Sequence, residues 1–173
     1  MRPTAVELAA TLGLDPHAEG GFFRETYRAA EAIQTGRGTR AASTATLFLV
    51  TASSPSRFHR LMSDELWVFQ GGLPLELVTL EFEGEAHRRL LGDAGAASGA
   101  SPQVLIPAGA WQAARVAEDS IAAPRAAVSR DRAWSLVTCI VTPGFDYADF
   151  ELGSRDELVR LAPRQADLIA ALT

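Results

Sequence analysis

The chain has 173 residues, 47% of them hydrophobic and 21% charged, enough for one folded domain with a sizeable core, which excludes wholesale disorder. A formal net charge of −5 argues against nucleic acid and against anionic membranes as partners, since both need a basic surface. Cys139 is the one cysteine, so no intrachain disulfide forms. No apolar run is long enough to cross a bilayer, and no basic leader opens the chain, so the expected location is the cytoplasm.

In chain order, Thr4 and Glu7 have the spacing of a capping box, and Val6, Leu8, Ala9 and Leu12 form an apolar face that ends at Gly13. This predicts a short helix over about 4–13. Short β-rich runs follow, separated by Gly, Pro, Ser and Asp. They are Phe22 to Arg28, Thr44 to Thr51, Arg57 to Met62, Glu65 to Gln70, Leu75 to Phe82, Val104 to Ile106, Trp111 to Val116 and Trp134 to Thr142. Segments 93–101 and 117–132 read as loops. Ser154 and Glu157 repeat the capping-box spacing, Pro163 interrupts, and Leu168, Ile169 and Leu172 continue a helical face, so 155–172 reads as helical. No long helical pattern separates the strands, which disfavours a parallel α/β sheet. The expectation is an all-β sandwich or barrel with a core over about 20–152, short helices at both ends, and one domain spanning 1–173.

The densest chemistry runs from Phe58 to Gly72. His59 lies near the end of one strand and Glu65 opens the next. Residues two apart share a face, so Glu65, Trp67 and Phe69 point one way, and Leu66 and Val68 the other. A carboxylate beside two large aromatics needs a partner, and His59 and Gln112 are the candidates. Pro107 and Gly109 would turn the chain so that Trp111 and Gln112 enter the same mouth.

The Phe58–Gly72 segment and the later Pro107-Ala-Gly109-Ala-Trp111-Gln112 resemble the two motifs of the cupin superfamily. Pro16-His17-Ala18-Glu19-Gly20-Gly21 and Pro143-Gly144-Phe145-Asp146-Tyr147 extend the likeness to one poorly characterised branch of that superfamily, over about residues 6 to 152. The resemblance implies a cupin jelly-roll barrel (a double-stranded β-helix), a pocket for a small molecule, and a homodimer. The layout is similar to that of the dTDP-sugar epimerases that share this fold. The sequence departs from the pattern where Arg57 replaces the first motif histidine, where Val68 follows Trp67, and where Gln112 replaces the second-motif histidine. His59, Glu65 and Gln112 would be the ligands if a divalent metal were held. A neutral amide is a poor third donor, so no cofactor is expected.

Three functions follow from these residues. The first is a metal-independent acid–base enzyme, epimerase- or isomerase-like, acting on a sugar-like or anionic metabolite. His59 would move a proton, Glu65 would orient it or act opposite it, and Arg24 would anchor an anionic group. Phe48, Trp67, Phe69, Trp111 and Gln112 would line the pocket. The second is a non-catalytic binder of a small ligand, and the third a divalent-metal enzyme. Each residue also has a structural role open to it: a hydrogen-bonded turn histidine for His59, a surface ion pair for Arg24 and Arg28, core for the aromatics. His17 and Glu19 read as a structural turn, and Cys139 as an inert buried thiol. Apolar residues on both faces of Leu47 to Val50 call for cover on the outer side, in line with the homodimer.

Overall fold

The computed structural model describes residues 2–80, 85–95, 99–117 and 128–173. The last two residues of the expected strand at Leu75 to Phe82 and parts of the two expected loops (96–98 and 118–127) lie outside the described residues.

Helix α1 (Ala5–Leu12) starts where the capping box places it: the Glu7 amide donates to the Thr4 hydroxyl at 3.2 Å, and the Thr4 amide donates to the Glu7 carboxylate at 2.8 Å. Gly13 ends it in the left-handed conformation, φ 61°. The strands are β1 (Asp15–Pro16), β2 (Phe22–Arg28), β3 (Ala32–Thr35), β4 (Gly38–Ala41), β5 (Thr44–Thr51), β6 (Ser56–Leu61) and β7 (Asp64–Gly72). They continue as β8 (Leu75–Leu80), β9 (Ala86–Leu91), β10 (Gln103–Ile106), β11 (Trp111–Val116), β12 (Trp134–Thr142) and β13 (Phe150–Leu152). Helices α2 (Arg155–Leu161) and α3 (Ala166–Ala171) close the described chain, broken at Pro163 as the sequence anticipates.

Two antiparallel sheets face each other in the orders β1-β2-β5-β12-β7-β10 and β13-β6-β11-β8-β9, with β3 and β4 forming a separate hairpin. This is the expected jelly roll, but as a sandwich of two sheets and not a barrel closed by hydrogen bonds. Inward-facing Phe48, Val50, Trp67, Leu75, Leu77 and Val137 fill one end of the space between the sheets. The outer face of the second sheet is covered by α2 and α3, through Leu158, Leu168, Ile169 and Leu172 against Phe58, Val78 and Trp111.

The outward aliphatic residues of β5 correct one expectation. Leu47 and Leu49 are covered by α1, with Ala5, Ala9, Leu14 and Trp134, so a partner subunit is not needed to bury them. What α1 leaves open lies further along the same sheet, on β7, β12 and β10.

One irregularity matters for the site. Phe23 pairs with Phe48 and Glu25 with Thr46, but Arg28 pairs with Thr44, because Thr26 is an extra residue between the two registers. The bulge reverses the alternation of β2, so Phe23, Glu25 and Arg28 share the inner face. Arg24 is left on the other face. Arg24 and Arg28 therefore do not lie side by side, as unbroken alternation would have it.

Candidate functional site

The open end of the sandwich is a cavity of about 310 Å³. Its walls are the inner faces of β2, β5, β7 and β12 and the edge of β6, with the loops 17–19 and 145–147 over the mouth. Neighbouring strands present successive rows to it. Glu25, Thr46 and Cys139 form one row, and Arg28, Thr44, Val141 and Glu65 the next.

Loop 17–19 is held by its own glycines and by β6. Gly20 and Gly21 both have positive φ, 111° and 66°, and a Cβ on Gly20 would collide with the Pro55 carbonyl oxygen. Arg57, in the place of the first motif histidine, donates to the carbonyls of Ala18 (2.6 Å) and Glu19 (3.3 Å). The Arg57 amide donates to the Glu19 carbonyl at 2.8 Å. The loop is thereby pinned with Glu19 buried at its tip. The Glu19 carboxylate accepts from the Ser56 hydroxyl at 2.7 Å, and its other oxygen lies 3.4 Å from both His17 Nδ1 and His59 Nε2.

The other loop comes from the C-terminal side of β12. Asp149 receives two hydrogen bonds from Arg40, at 2.8 and 2.9 Å, which tie the segment to β4. These bonds, with help from Arg37, hold the Asp149 carboxyl below its ordinary range. Thus anchored, Phe145, Tyr147 and Phe150 gather around His17. The His17 ring meets Phe23 edge-on at 4.6 Å between centroids and stacks on Tyr147 at 6.3 Å, while Phe150 stacks on His59 at 5.7 Å.

At the inner end Glu65 is buried beside Cys139 and Gln112. The Gln112 amide is locked in one orientation. Trp67 Nε1, which can only donate, bonds Gln112 Oε1 at 3.1 Å, so Gln112 Nε2 must be the end that donates to Glu65 at 2.6 Å. Burial pushes the Glu65 carboxyl above its ordinary range, against the pull of the His59 charge and of hydrogen bonds from Gln112 and Cys139. Burial acts on Glu19 in the same direction, but the charges of His59 and His17 with the Ser56 hydrogen bond outweigh it, and Glu19 lies below its ordinary range. Burial, reinforced by Glu65, drives the Cys139 thiol well up, so it stays protonated.

His59 is held on both nitrogens. Nδ1 is 2.8 Å from the Arg57 carbonyl, which can only accept, so Nδ1 bears a hydrogen. Nε2 faces the ionised Glu19, where a lone pair would be repelled and an N–H is favoured.

Of the residues singled out from sequence, His59, Glu65 and Phe48 line this cavity. Gln112 is buried behind Glu65. Trp67, only 1% exposed, and Phe69 belong to the packed core next to it. Two expectations are corrected. Arg24 is exposed and outside the cavity because it pairs with the outward-facing Leu47, while the bulge at Thr26 turns Arg28 inward. Trp111 does not share the mouth with Gln112, because adjacent residues of β11 face opposite ways. It lies under the Arg60 guanidinium, 4.6 Å from the ring centroid, on the helix-covered side. His17, Glu19, Arg28, Cys139 and Tyr147 are brought in by the fold. The signal for the first two was present in the sequence: two titratable residues beside a Gly-Gly pair.

The donor set does not fit a transition metal. Among the described residues, no group of three or more His, Cys, Asp or Glu side chains is placed to hold an ion. The Gln112 oxygen is spent on Trp67, and Arg57 faces the loop carbonyls. Among the described residues, no helix is long and apolar enough to cross a membrane.

A two-sheet jelly roll with a pocket between its sheets is the architecture of a cupin. The model of a cupin superfamily family (DUF985) matches residues 6–153, and the chain belongs to that family. Two similar solved structures extend over its whole length. A hypothetical protein from Leishmania major is 34% identical over 99% of both chains, with a TM-score of 0.84. A protein from Shewanella oneidensis is 32% identical over 99% of this chain and 98% of its own, also at 0.84. Oxalate decarboxylase from Bacillus subtilis matches at 9% identity and a TM-score of 0.53, over 91% of this chain and 36% of its own, a likeness of fold alone. Among curated proteins none is measurably similar.

Proposed function

We propose that this cupin is a metal-independent enzyme that moves a proton on a small metabolite in its pocket, as an isomerase or epimerase does. The observation that carries the reading is the pair of buried carboxyls, Glu19 and Glu65, whose ionisation is driven in opposite directions around His59. Such a divergence separates a charge-holding role from a proton-carrying one. Glu65, raised toward neutrality, is the group able both to take and to give a proton. His59, held by the Arg57 carbonyl at Nδ1 and facing Glu19 at Nε2, is the group placed to balance charge that develops on the substrate. The roles of the sequence-based scheme are thereby exchanged: the carboxyl moves the proton and the histidine stabilises charge.

In the step proposed, a C–H bond beside a substrate carbonyl breaks and its proton passes to the Glu65 carboxylate. The electron pair moves onto the carbonyl oxygen on the His59 side of the pocket, and return of a proton to carbon gives the isomer.

The test is hydrogen exchange in D2O, followed by mass spectrometry, on small carbonyl compounds that the pocket binds. Wild-type protein is expected to exchange the C–H adjacent to the carbonyl, and Glu65→Gln to lose roughly a hundredfold or more in rate. Binding without exchange would overturn the enzyme and leave a passive ligand-binding cupin, the reading favoured by the cavity's apolar walls.

We also propose a homodimer through the outer face of β7, β12 and β10. There Leu66, Val68 and Ile140 are half-buried and Leu105 is 51% exposed, outside the cluster that α1 covers. A monomer in sedimentation at micromolar concentration would remove this proposal.

A further inference from the structure

The charges that line the cavity cancel unevenly. Four carboxyl groups face it, Glu19, Glu25, Glu65 and Asp146, against one guanidinium, Arg28, and two histidines. Arg28 is committed to Glu25 through two hydrogen bonds of 2.9 and 2.6 Å, and it also donates to the Phe145 carbonyl at 3.2 Å. Glu19 is taken by His17, His59 and Ser56. The hydrogen bonds to the Glu65 carboxyl come from neutral groups, an amide and a thiol. The Arg40 guanidinium stands 4.0 Å from Asp146 and is already engaged in paired hydrogen bonds with Asp149. Asp146 Oδ1 also accepts from the Ala148 amide at 2.9 Å. Once these pairs are subtracted, a ligand entering the pocket meets the Glu65 carboxyl at depth and the remaining Asp146 oxygen at the mouth. Among the described lining residues no guanidinium is left uncommitted. Phe23, Phe48, Phe145 and Tyr147 supply the rest of the wall, and aromatic faces attract cations.

We propose that the pocket takes a ligand with a positively charged nitrogen on an apolar body, its ammonium or amidinium seated against Glu65. The inference rests on the reading of this cavity as the working site and names the class of molecule that it admits. An anionic metabolite is excluded by the same charges: it would be desolvated beside two carboxyls with no free cation to receive it. A cationic nitrogen also stabilises the ionised form of Glu65, so arrival of the ligand creates the carboxylate that proton abstraction needs. The groups facing Glu65 are His59, Glu19, Gln112 and Cys139, and none of them competes for that position as a free cation.

The test uses calorimetry with three probes that share a phenyl ring and differ in the terminal group: phenethylamine, 2-phenylethanol and 3-phenylpropionate. The amine is expected to bind roughly tenfold or more tightly than the other two, a difference of about 1.4 kcal/mol. In the pH range where Glu65 is protonated, amine binding should release a proton, seen as heat that varies with the ionisation enthalpy of the buffer. Glu65→Gln, which keeps side-chain size, should abolish both the preference and the release, and Asp146→Asn should weaken the preference alone. If Glu65→Gln does not fold, proton release by the wild type and the Asp146→Asn comparison still decide. Equal or tighter binding of the acid, an unchanged preference in Glu65→Gln, or no binding of the amine at millimolar concentration overturns the inference. Amine binding without deuterium exchange would sink the enzyme but not the ligand class; exchange on an anionic compound without amine preference would do the reverse.

Discussion

The two ends of the space between the sheets are built by the same strands and share no chemistry. At the closed end, β5, β7 and β12 present Val50, Trp67 and Val137, none more than 1% exposed and packed against Leu75 and Leu77 of β8. One or two rows further on, the same alternation presents Thr46, Cys139 and Glu65 to a cavity. The pleat decides only that a residue faces inward; its type and the neighbouring loops decide whether that place is core or pocket. Gln112 joins the two ends, satisfying the indole N–H of the core with one atom and holding the carboxyl of the pocket with the other.

The largest effect is expected at the closed end. Trp67→Ala should cost about 4 kcal/mol in denaturant unfolding, because it removes a large buried ring and orphans the Gln112 oxygen. A loss below about 1 kcal/mol would mean that the two ends are equally loose and the contrast is false.

Next comes the mouth side of the pocket. Glu19→Gln should cost about 3 kcal/mol at neutral pH, because it removes the buried carboxylate that Ser56, His17 and His59 surround. The sign follows from the lowered Glu19 value. Its stabilisation is present above the unfolded carboxyl range, near 4.5, and disappears as pH falls through the lower folded value. The gap between variant and wild type should therefore close on acidification. Glu65 has the opposite slope: stability present below about 4.5 is lost as pH rises through its raised folded value, so Glu65→Gln should flatten that limb. Parallel pH profiles for the two variants would erase the proposed division between the carboxyls.

The smallest effect probes the junction. Gln112→Leu should cost about 2 kcal/mol by leaving the Trp67 N–H without an acceptor and the Glu65 carboxyl without its amide donor. It should also move the titration of Glu65 upward, measurable by carbon NMR of the carboxyl. Loss of stability without that movement would show that Gln112 serves the core alone.

Strand positions were legible where the apolar pattern was strong. β2, β5, β11 and β12 begin and end where the sequence places them. β9 (Ala86–Leu91) was hidden because His87, Arg88 and Arg89 break the pattern of a strand with a buried face, and as an edge strand it needs no such face. The β3–β4 hairpin and the short β13 carry too few apolar residues to register. Within the site, His59 and Glu65 could be singled out because a local motif carries them. Arg24 was misplaced because the alternation does not say which face of β2 turns inward, and the bulge that brings Arg28 in leaves no mark in it. Trp111 was misplaced by a turn that brings Gln112 inward but cannot bring its neighbour as well.

The sequence by itself determined an all-β sandwich or barrel with short end helices, because strand periodicity, turn residues and capping boxes are properties of neighbouring residues; its motifs carried the resemblance that implied a jelly roll. It also determined that a histidine and a carboxylate would stand on consecutive strands, which the fold places in opposite sheets. Only the tertiary structure decided what they do. Glu19 reaches His59 from forty residues away because Gly20, Gly21 and Arg57 fold its loop over the pocket mouth. Burial and pairing then drive Glu19 and Glu65 apart in acidity, and both depend on distances between segments that no local pattern records.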